Sequence, residues 1–173
     1  AFAALPSEGK LLIQEDNQVK IISPQVLGRL HLDKSCEIGN EATPARLILP
    51  IESKPKILAI TTEGRVALVK WEFAGQQPGT LEKFLPGGLE GETIINLLNL
   101  PENQKSSLGL LSTDGRFKRL AIEEVLDLSG RAATILKLKE HVTLKSALIF
   151  DENSEVVIVS SFGRILRLSV NKE

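Results

Sequence analysis

Cysteine and histidine are nearly absent from this 173-residue chain. Cys36 is the single cysteine, so an internal disulfide and a cysteine-based zinc cluster are both excluded. The two histidines, His31 and His141, stand 110 positions apart and lack acidic or thiol partners at ligand spacing. We therefore expect no metal site, and a chain suited to a reducing compartment.

Methionine and long apolar runs are also missing. Because the chain lacks even an initiator methionine, we expect Ala1 to be a cut made in a longer protein. No apolar run approaches the roughly 18 to 20 residues that a membrane span needs. Residues 1–5 lack the charged region and the full apolar core of a signal peptide. These absences predict a cytoplasmic fragment with no membrane partner.

Charge of neither sign predominates. Lysine and arginine number 21 against 22 acidic residues, which gives a net charge of about −1. Nothing therefore attracts phosphate to the chain as a whole. Any contact with nucleic acid requires cations that are segregated onto one surface.

A repeat of about 50 residues is the main positive feature of the sequence. Four segments align without gaps: 11–19, 58–66, 109–117 and 157–165. Their anchor residues, Asn17, Gly64, Gly115 and Gly163, are spaced by 47, 51 and 48 residues. This spacing is typical of a four-stranded propeller blade. We predict a single repeat domain over residues 1–173, with units at about 10–55, 56–107, 108–154 and a partial unit at 155–173.

Each anchor segment has the pattern of a β-hairpin, with an apolar run, a short turn and an alternating run. The turn pairs are Asp16-Asn17, Glu63-Gly64, Asp114-Gly115 and Phe162-Gly163. We expect two-residue type I′ turns, in which both central residues have positive φ, a conformation that glycine and asparagine tolerate.

Further short β-like runs at residues 45–51, 93–100, 132–138 and 146–150 lie between the hairpins. No long amphipathic helix is evident, and we expect a loop or short turn at residues 122–128. The predicted fold is all-β, a β-pinwheel or propeller-like arrangement of about three and a half four-stranded blades, possibly a truncated ring.

The third unit carries a family resemblance. The apolar run at 110–113, the Asp114-Gly115 turn and the basic stretch 116–119 together resemble the repeat found in the C-terminal domains of gyrase and topoisomerase IV A subunits. Residues 130–135 and 142–150 agree with the later half of that repeat. The resemblance covers nearly the whole chain, and its specificity lies in several copies in phase.

The resemblance implies a DNA-binding accessory domain of a bacterial type IIA DNA topoisomerase. Such a domain bends or wraps duplex DNA and presents it to the catalytic core for supercoiling or decatenation. The implied partners are double-stranded DNA, the remainder of the A subunit and the ATPase B subunit, in a cytoplasmic, nucleoid-associated setting.

Two features depart from the family pattern. Complete members have five or six blades, whereas this chain holds about three and a half. Gyrases also carry a basic glycine-rich box in the first blade, and the nearest stretch here, residues 86–92, has acidic neighbours. The choice between gyrase and topoisomerase IV therefore stays open.

Catalytic chemistry is not expected in this fragment. Type IIA topoisomerases cleave DNA with a tyrosine, and the chain contains none. No phosphate-binding loop of the Walker type is present either, so the ATP-driven steps of the parent isomerase belong elsewhere. We expect no catalytic residue, no cofactor and no small-molecule substrate.

Basic residues that recur in phase are the candidate DNA contacts. Because a repeat places equivalent positions in equivalent places on successive units, sparse cations can form one stripe along a duplex. The predicted phosphate contacts are Arg65, Lys70, Arg116, Lys118, Arg119, Arg131, Lys137, Lys139, Lys145, Arg164 and Arg167. The alternative interpretation of each cation is a soluble edge residue that discourages strand aggregation. At the level of the domain, the alternative is a protein-interaction propeller that does not bind DNA.

Overall fold

The computed structural model describes residues 8–27, 45–52, 56–70, 79–102, 105–128 and 130–169. His31 and Cys36 lie outside these ranges. The described residues form twelve β-strands and only single turns of helix. The strands are β1 Lys10–Gln14, β2 Val19–Ile22, β3 Ala45–Pro50, β4 Ile57–Thr61, β5 Arg65–Leu68, β6 Ile94–Asn99, β7 Ser107–Ser112, β8 Phe117–Ala121, β9 Ala133–Thr134, β10 Leu144–Phe150, β11 Glu155–Val159 and β12 Ile165–Ser169. The helical turns are α1 Pro24–Leu27, α2 Glu123–Leu126 and a 3₁₀ turn at Leu81–Phe84.

The strands form four antiparallel sheets, with strand orders β2-β1-β3, β6-β4-β5-β9, β10-β7-β8 and β11-β12. Each sheet contains one anchor hairpin. The innermost strand pairs of the four hairpins occupy one position of the repeat: Ile13 with Val19, Ile60 with Val66, Leu111 with Phe117, and Val159 with Ile165. The hairpins therefore recur in register, and the all-β prediction is confirmed.

The hairpin turns differ from the predicted type I′ geometry. The four anchors have positive φ, at 62° for Asn17 and 74° to 81° for Gly64, Gly115 and Gly163, but the residue before each anchor does not. In each turn the anchor amide donates to the carbonyl three residues earlier, as Gly115 does to Ser112. This geometry is a type I turn followed by one left-handed residue, a three-residue loop. The prediction of positive φ at both central residues was wrong.

One strand of the third unit completes the sheet of the second unit. β9 comes from the third unit of the repeat, yet it pairs with β5 of the second, where Arg65 lies opposite Thr134. The first sheet has a smaller version of this contact, an isolated bridge between Gln18 and Thr80. The outer edge of β8 has no strand partner among the described residues. In the first and second units, a segment from later in the chain thus pairs with the outer edge of the hairpin.

Two apolar clusters hold the first three sheets together. β4 is buried along its whole length because its alternate side chains face two neighbours. Ile57 and Ala59 belong to the cluster shared with the first sheet, and Leu58 and Ile60 to the cluster shared with the third. Truncating a fully buried leucine such as Leu58 costs about 2 to 5 kcal/mol of stability. The cores therefore lie between blades and fix the angle at which successive hairpins project.

Most of the fourth sheet is exposed. Val156 is buried, whereas Val157, Val159, Phe162 and Ile165 are exposed. Within the described residues, no helix is long and apolar enough to cross a membrane.

Candidate nucleic-acid interface

A single segment without regular secondary structure, residues 135–143, connects the tips of the second and third hairpins and turns at Glu140 and His141; we call it the rim segment. At one end, the Ile135 and Leu136 amides donate to the Gly64 carbonyl at 3.0 and 3.2 Å. At the other end, the Thr113 amide donates to the Thr143 carbonyl at 2.8 Å. The rim segment is fixed to both tips by backbone hydrogen bonds, so the cations that it carries have defined positions.

Lys137 and Lys139 lie on the rim segment, and both are exposed. Lys118, Arg131, Lys145 and Arg164 are exposed as well. None of these six cations pairs with a carboxylate of the described residues. Exposed cations without an acidic partner attract phosphate most strongly, because no internal ion pair must be broken first.

Three other predicted contacts are paired with acids. Arg116 Nε lies 3.2 Å from Oδ2 of Asp114 in its own turn, and Arg167 Nε donates to Glu155 Oε2 at 2.7 Å. Both pairs are exposed, so they contribute little energy and a phosphate can compete with them.

The third ion pair is less accessible. Arg65 Nη1 lies 2.7 Å from Glu92 Oε1, and the two side chains are 30% and 15% exposed. Desolvation strengthens the attraction between the two groups. The repeat position after the anchor thus carries an occluded pair at Arg65, an exposed pair at Arg116 and an unpaired cation at Arg164.

Arg119 and Arg167 occupy the same position of the repeat and make the same hydrogen bond, but the charge of the acceptor differs. Each guanidinium donates to the residue twelve positions earlier, on the preceding strand. That partner is the neutral hydroxyl of Ser107 for Arg119, at 2.9 Å, and the Glu155 carboxylate for Arg167. The Arg119 guanidinium also lies 5.7 Å from the centre of the Phe150 ring, a favourable cation–π geometry. These contacts hold the Arg119 guanidinium in a fixed orientation.

Lys70 lies beside the segment that carries Arg131. Its side chain is partly buried, and its ammonium group approaches the backbone of Gly130. Its amide donates to the Phe84 carbonyl at 2.8 Å. The structure thus holds Lys70 beside the connecting segment that precedes β9.

An acidic loop borders the second hairpin. Glu82, Glu90 and Glu92 line a cavity of about 320 Å³ together with Asn17 and Ile94. The Gly88 amide donates to Glu90 Oε2 at 2.8 Å, and this hydrogen bond lowers the pKa of the Glu90 carboxyl. The amide that a phosphate-binding loop would offer is already bound to a carboxylate. Residues 86–92 therefore lack the positive charge of a phosphate site, and the Gly88 amide is already occupied.

A further acidic residue belongs to the tip of the third hairpin. The Ser112 hydroxyl donates to Asp114, and Arg116 lies beside it, which together lower the pKa of the Asp114 carboxyl. Asp114 therefore remains charged at the near-neutral pH at which DNA binding is measured. The positive charge that Arg116 brings to this tip is partly offset.

Sequence reasoning missed the Arg65–Glu92 pair. The two residues are 27 positions apart, and their contact depends on a loop that folds back over β5. The acidic composition of residues 90–92 was visible in the sequence, but which cation it meets was not. The described residues contain no group of three or more histidine, cysteine or acidic side chains that could hold a metal ion.

Three solved structures share this fold. A DNA gyrase A C-terminal domain matches 92% of this chain and 54% of its own length, at a TM-score of 0.70 and 16% identity. The E. coli ParC C-terminal domain matches 95% of this chain and 66% of its own length, at 0.64 and 14%. A C-terminal domain of DNA topoisomerase IV matches 98% and 54%, at 0.65 and 12%. No protein-family model and no curated protein matches the chain.

The chain has the β-pinwheel fold of gyrase A C-terminal domains, as the hairpin repeat and the family resemblance predicted. It spans between about half and two thirds of the length of the three similar domains. Identities of 12 to 16% establish the shared fold and nothing finer.

Proposed function

We propose that this chain binds and bends duplex DNA as an accessory domain of a type IIA topoisomerase A subunit. The observation that carries the proposal is the set of exposed cations without an acidic partner among the described residues, two of which, Lys137 and Lys139, lie on the rim segment. The rim segment carries these two lysines against one acidic residue, Glu140, so its formal charge is positive although the net charge of the whole chain is about −1. Its members contact phosphates rather than bases, so the binding is salt-dependent and largely independent of sequence.

The proposal assigns the chain a place in a larger enzyme. The domain holds a DNA segment beside the cleavage core of the A subunit, and the B subunit supplies ATP hydrolysis. Supercoiling or decatenation is then the activity of the assembly, in the cytoplasm and on the nucleoid. Support comes from the fold shared with the gyrase A, ParC and topoisomerase IV domains.

Binding is tested by fluorescence anisotropy with a labelled duplex of several tens of base pairs, at about 50 and about 200 mM salt. We expect Kd to rise steeply with salt and to depend little on sequence. Bending is tested by energy transfer between dyes at the two duplex ends, and we expect the transfer to increase on binding. A duplex that does not bind at low salt, or a Kd that is insensitive to salt, contradicts the proposal.

A protein-interaction module is the second candidate, and the exposed apolar face of β11 and β12 favours it. Val157, Val159 and Ile165 are each more than half exposed, and Phe162 is 92% exposed. Contiguous exposed apolar side chains commonly mark a protein contact. A stable protein partner in a pull-down, with no DNA binding at low salt, would favour this candidate over the first.

A further inference from the structure

We propose that Glu92 keeps the second hairpin out of the DNA-contacting surface by holding Arg65 away from phosphate. This inference rests on the proposed DNA binding and names the residue that limits its extent. Arg65 and Arg116 occupy the same position of the repeat, so an unmodified repeat would present both to a duplex. In the structure, Arg65 pairs with Glu92 of a distant loop, whereas Arg116 pairs with Asp114 of its own turn.

Arg65 lies at the boundary between opposite charges. On one side, the rim segment begins at the Gly64 carbonyl, directly before Arg65, and carries Lys137 and Lys139. On the other side, the guanidinium approaches the backbone of Gly88, in the loop that bears Glu90 and Glu92. The side chain is therefore drawn toward the acidic loop rather than toward the rim cations.

The ion pair itself is poorly placed for exchange with a phosphate. Glu92 Oε1 accepts from Arg65, whereas Glu92 Oε2 is buried and has no hydrogen-bond donor in the described structure. A partly buried carboxylate with one buried, unsatisfied oxygen depends on its cation, because separating the pair leaves a charge without compensation. A phosphate would have to break this pair before it could bind Arg65.

The charges around the pair also disfavour a phosphate. Besides Glu92, the Arg65 charge acts on Glu90. The exposed Glu63 precedes the anchor on the same turn. A duplex that reached Arg65 would therefore approach three carboxylates, and phosphate is repelled there. The contact surface consequently begins at the rim segment and continues to the third and fourth units.

The test is a double-mutant cycle in which Glu92 and Arg65 are replaced by glutamine in the whole chain. DNA affinity and its salt dependence are measured for each variant. Glu92→Gln keeps the side-chain shape and releases Arg65. We expect Kd to fall by roughly threefold at low salt, and the slope of log K against log salt to steepen by about 0.9, the value of one added phosphate contact.

Glu63→Gln is the matched control, because it removes the same charge from the same hairpin without freeing a cation. It should change affinity slightly and leave the salt slope unchanged. Arg65→Gln alone should leave DNA affinity close to that of the wild type. The double variant Arg65→Gln/Glu92→Gln replaces the ion pair with two amides, and it should lose both the gain in affinity and the steeper slope.

The outcomes separate this inference from the proposed function. If wild-type protein binds DNA with a steep salt slope but Glu92→Gln behaves like Glu63→Gln, the proposed DNA binding is supported and the proposed role of Glu92 is contradicted. A large loss of affinity on Arg65→Gln alone would also overturn it, since Arg65 would then already contact phosphate. If no variant binds DNA, both proposals fall. Thermal unfolding of each variant shows whether a loss reflects DNA contact or folding.

Discussion

The tips of the second and third hairpins carry the same turn motif but have different surroundings. Gly64 is buried beneath the start of the rim segment, and Arg65 is held by Glu92. Gly115 is exposed, and Arg116 pairs only with Asp114 of its own turn. Equivalent residues of this repeat are therefore not equally available to a ligand. Segments that come later in the chain decide whether a hairpin tip is closed or open.

The greatest loss of stability is predicted for a substitution at the closed tip. A Cβ at Gly64 would lie 2.4 Å from the Leu136 carbonyl oxygen, on a residue whose φ is 75°. Gly64→Ala should therefore destabilise the fold by about 2 to 5 kcal/mol, through backbone strain and steric overlap. Urea unfolding followed by circular dichroism measures the change.

Gly115→Ala is the paired control for that substitution. Its φ of 81° imposes the same kind of strain, but nothing lies within 4 Å of the added Cβ among the described residues. We expect a loss of about 1 to 2 kcal/mol. Equal losses for the two glycines would contradict the view that the second tip is closed and the third is open.

The next prediction concerns the stability of the third unit and the packing around Gly109. Leu58 of the second hairpin is fully buried, and the equivalent residue of the third is Gly109. The space above Gly109 is taken by Phe117 and Phe150, whose rings would lie 2.6 and 2.9 Å from an added Cβ. Gly109→Ala should cost about 1 to 3 kcal/mol of stability by overpacking.

A second substitution sharpens that prediction. Adding Phe117→Leu to Gly109→Ala removes the nearer ring atoms, so the double variant should be more stable than the sum of the single changes predicts. Additive losses in urea unfolding would show that Phe117 does not occupy the space above Gly109.

A smaller effect orders the three equivalent arginines by their contribution to DNA affinity. Arg164 has no acidic partner in the described structure, Arg116 has an exposed one and Arg65 an occluded one. Arg164→Gln should weaken binding by roughly threefold, Arg116→Gln by less, and Arg65→Gln hardly at all. Anisotropy titrations at one low salt concentration give the order, and the reverse order would contradict the account.

The smallest effect is a pH dependence of stability at the open tip. The pKa of Asp114 is lower in the folded chain than its usual value of 3.8. Its stabilising contribution is therefore complete above that value and is lost as the pH falls through the lower folded value. The difference in Tm between wild type and Asp114→Asn should narrow between about pH 5 and about pH 2. A constant difference would show that Asp114 contributes nothing through its charge.

The sequence predicted the features that depend on local pattern. The alternation of apolar and polar residues and the spacing of the anchors were enough for the hairpins, their register and the all-β fold. The left-handed anchors were predicted at Asn17, Gly64, Gly115 and Gly163 because few residues adopt positive φ. The turn type was wrong since glycine at one position does not reveal the φ of the residue before it.

Features that depend on distant segments were not predictable from local pattern. β9 is only two residues long, and its pairing with β5 joins Arg65 to Thr134 and Val66 to Ala133, far apart in the chain. Separation along the chain also concealed the Arg65–Glu92 contact, which decides whether a correctly identified cation faces solvent. The structure gives the placement of the remaining predicted DNA contacts, and their binding to DNA stays a prediction.

The most direct measurement is the salt dependence of duplex binding by wild-type protein and by Lys137→Ala/Lys139→Ala, with Lys20→Ala as an exposed control on the first unit. If rim-segment cations contact phosphate, the wild type shows a steep negative slope of log K against log salt, and the double variant a slope shallower by about 1.8. Lys20→Ala should match the wild type. Identical slopes for the wild type and the double variant would contradict the account.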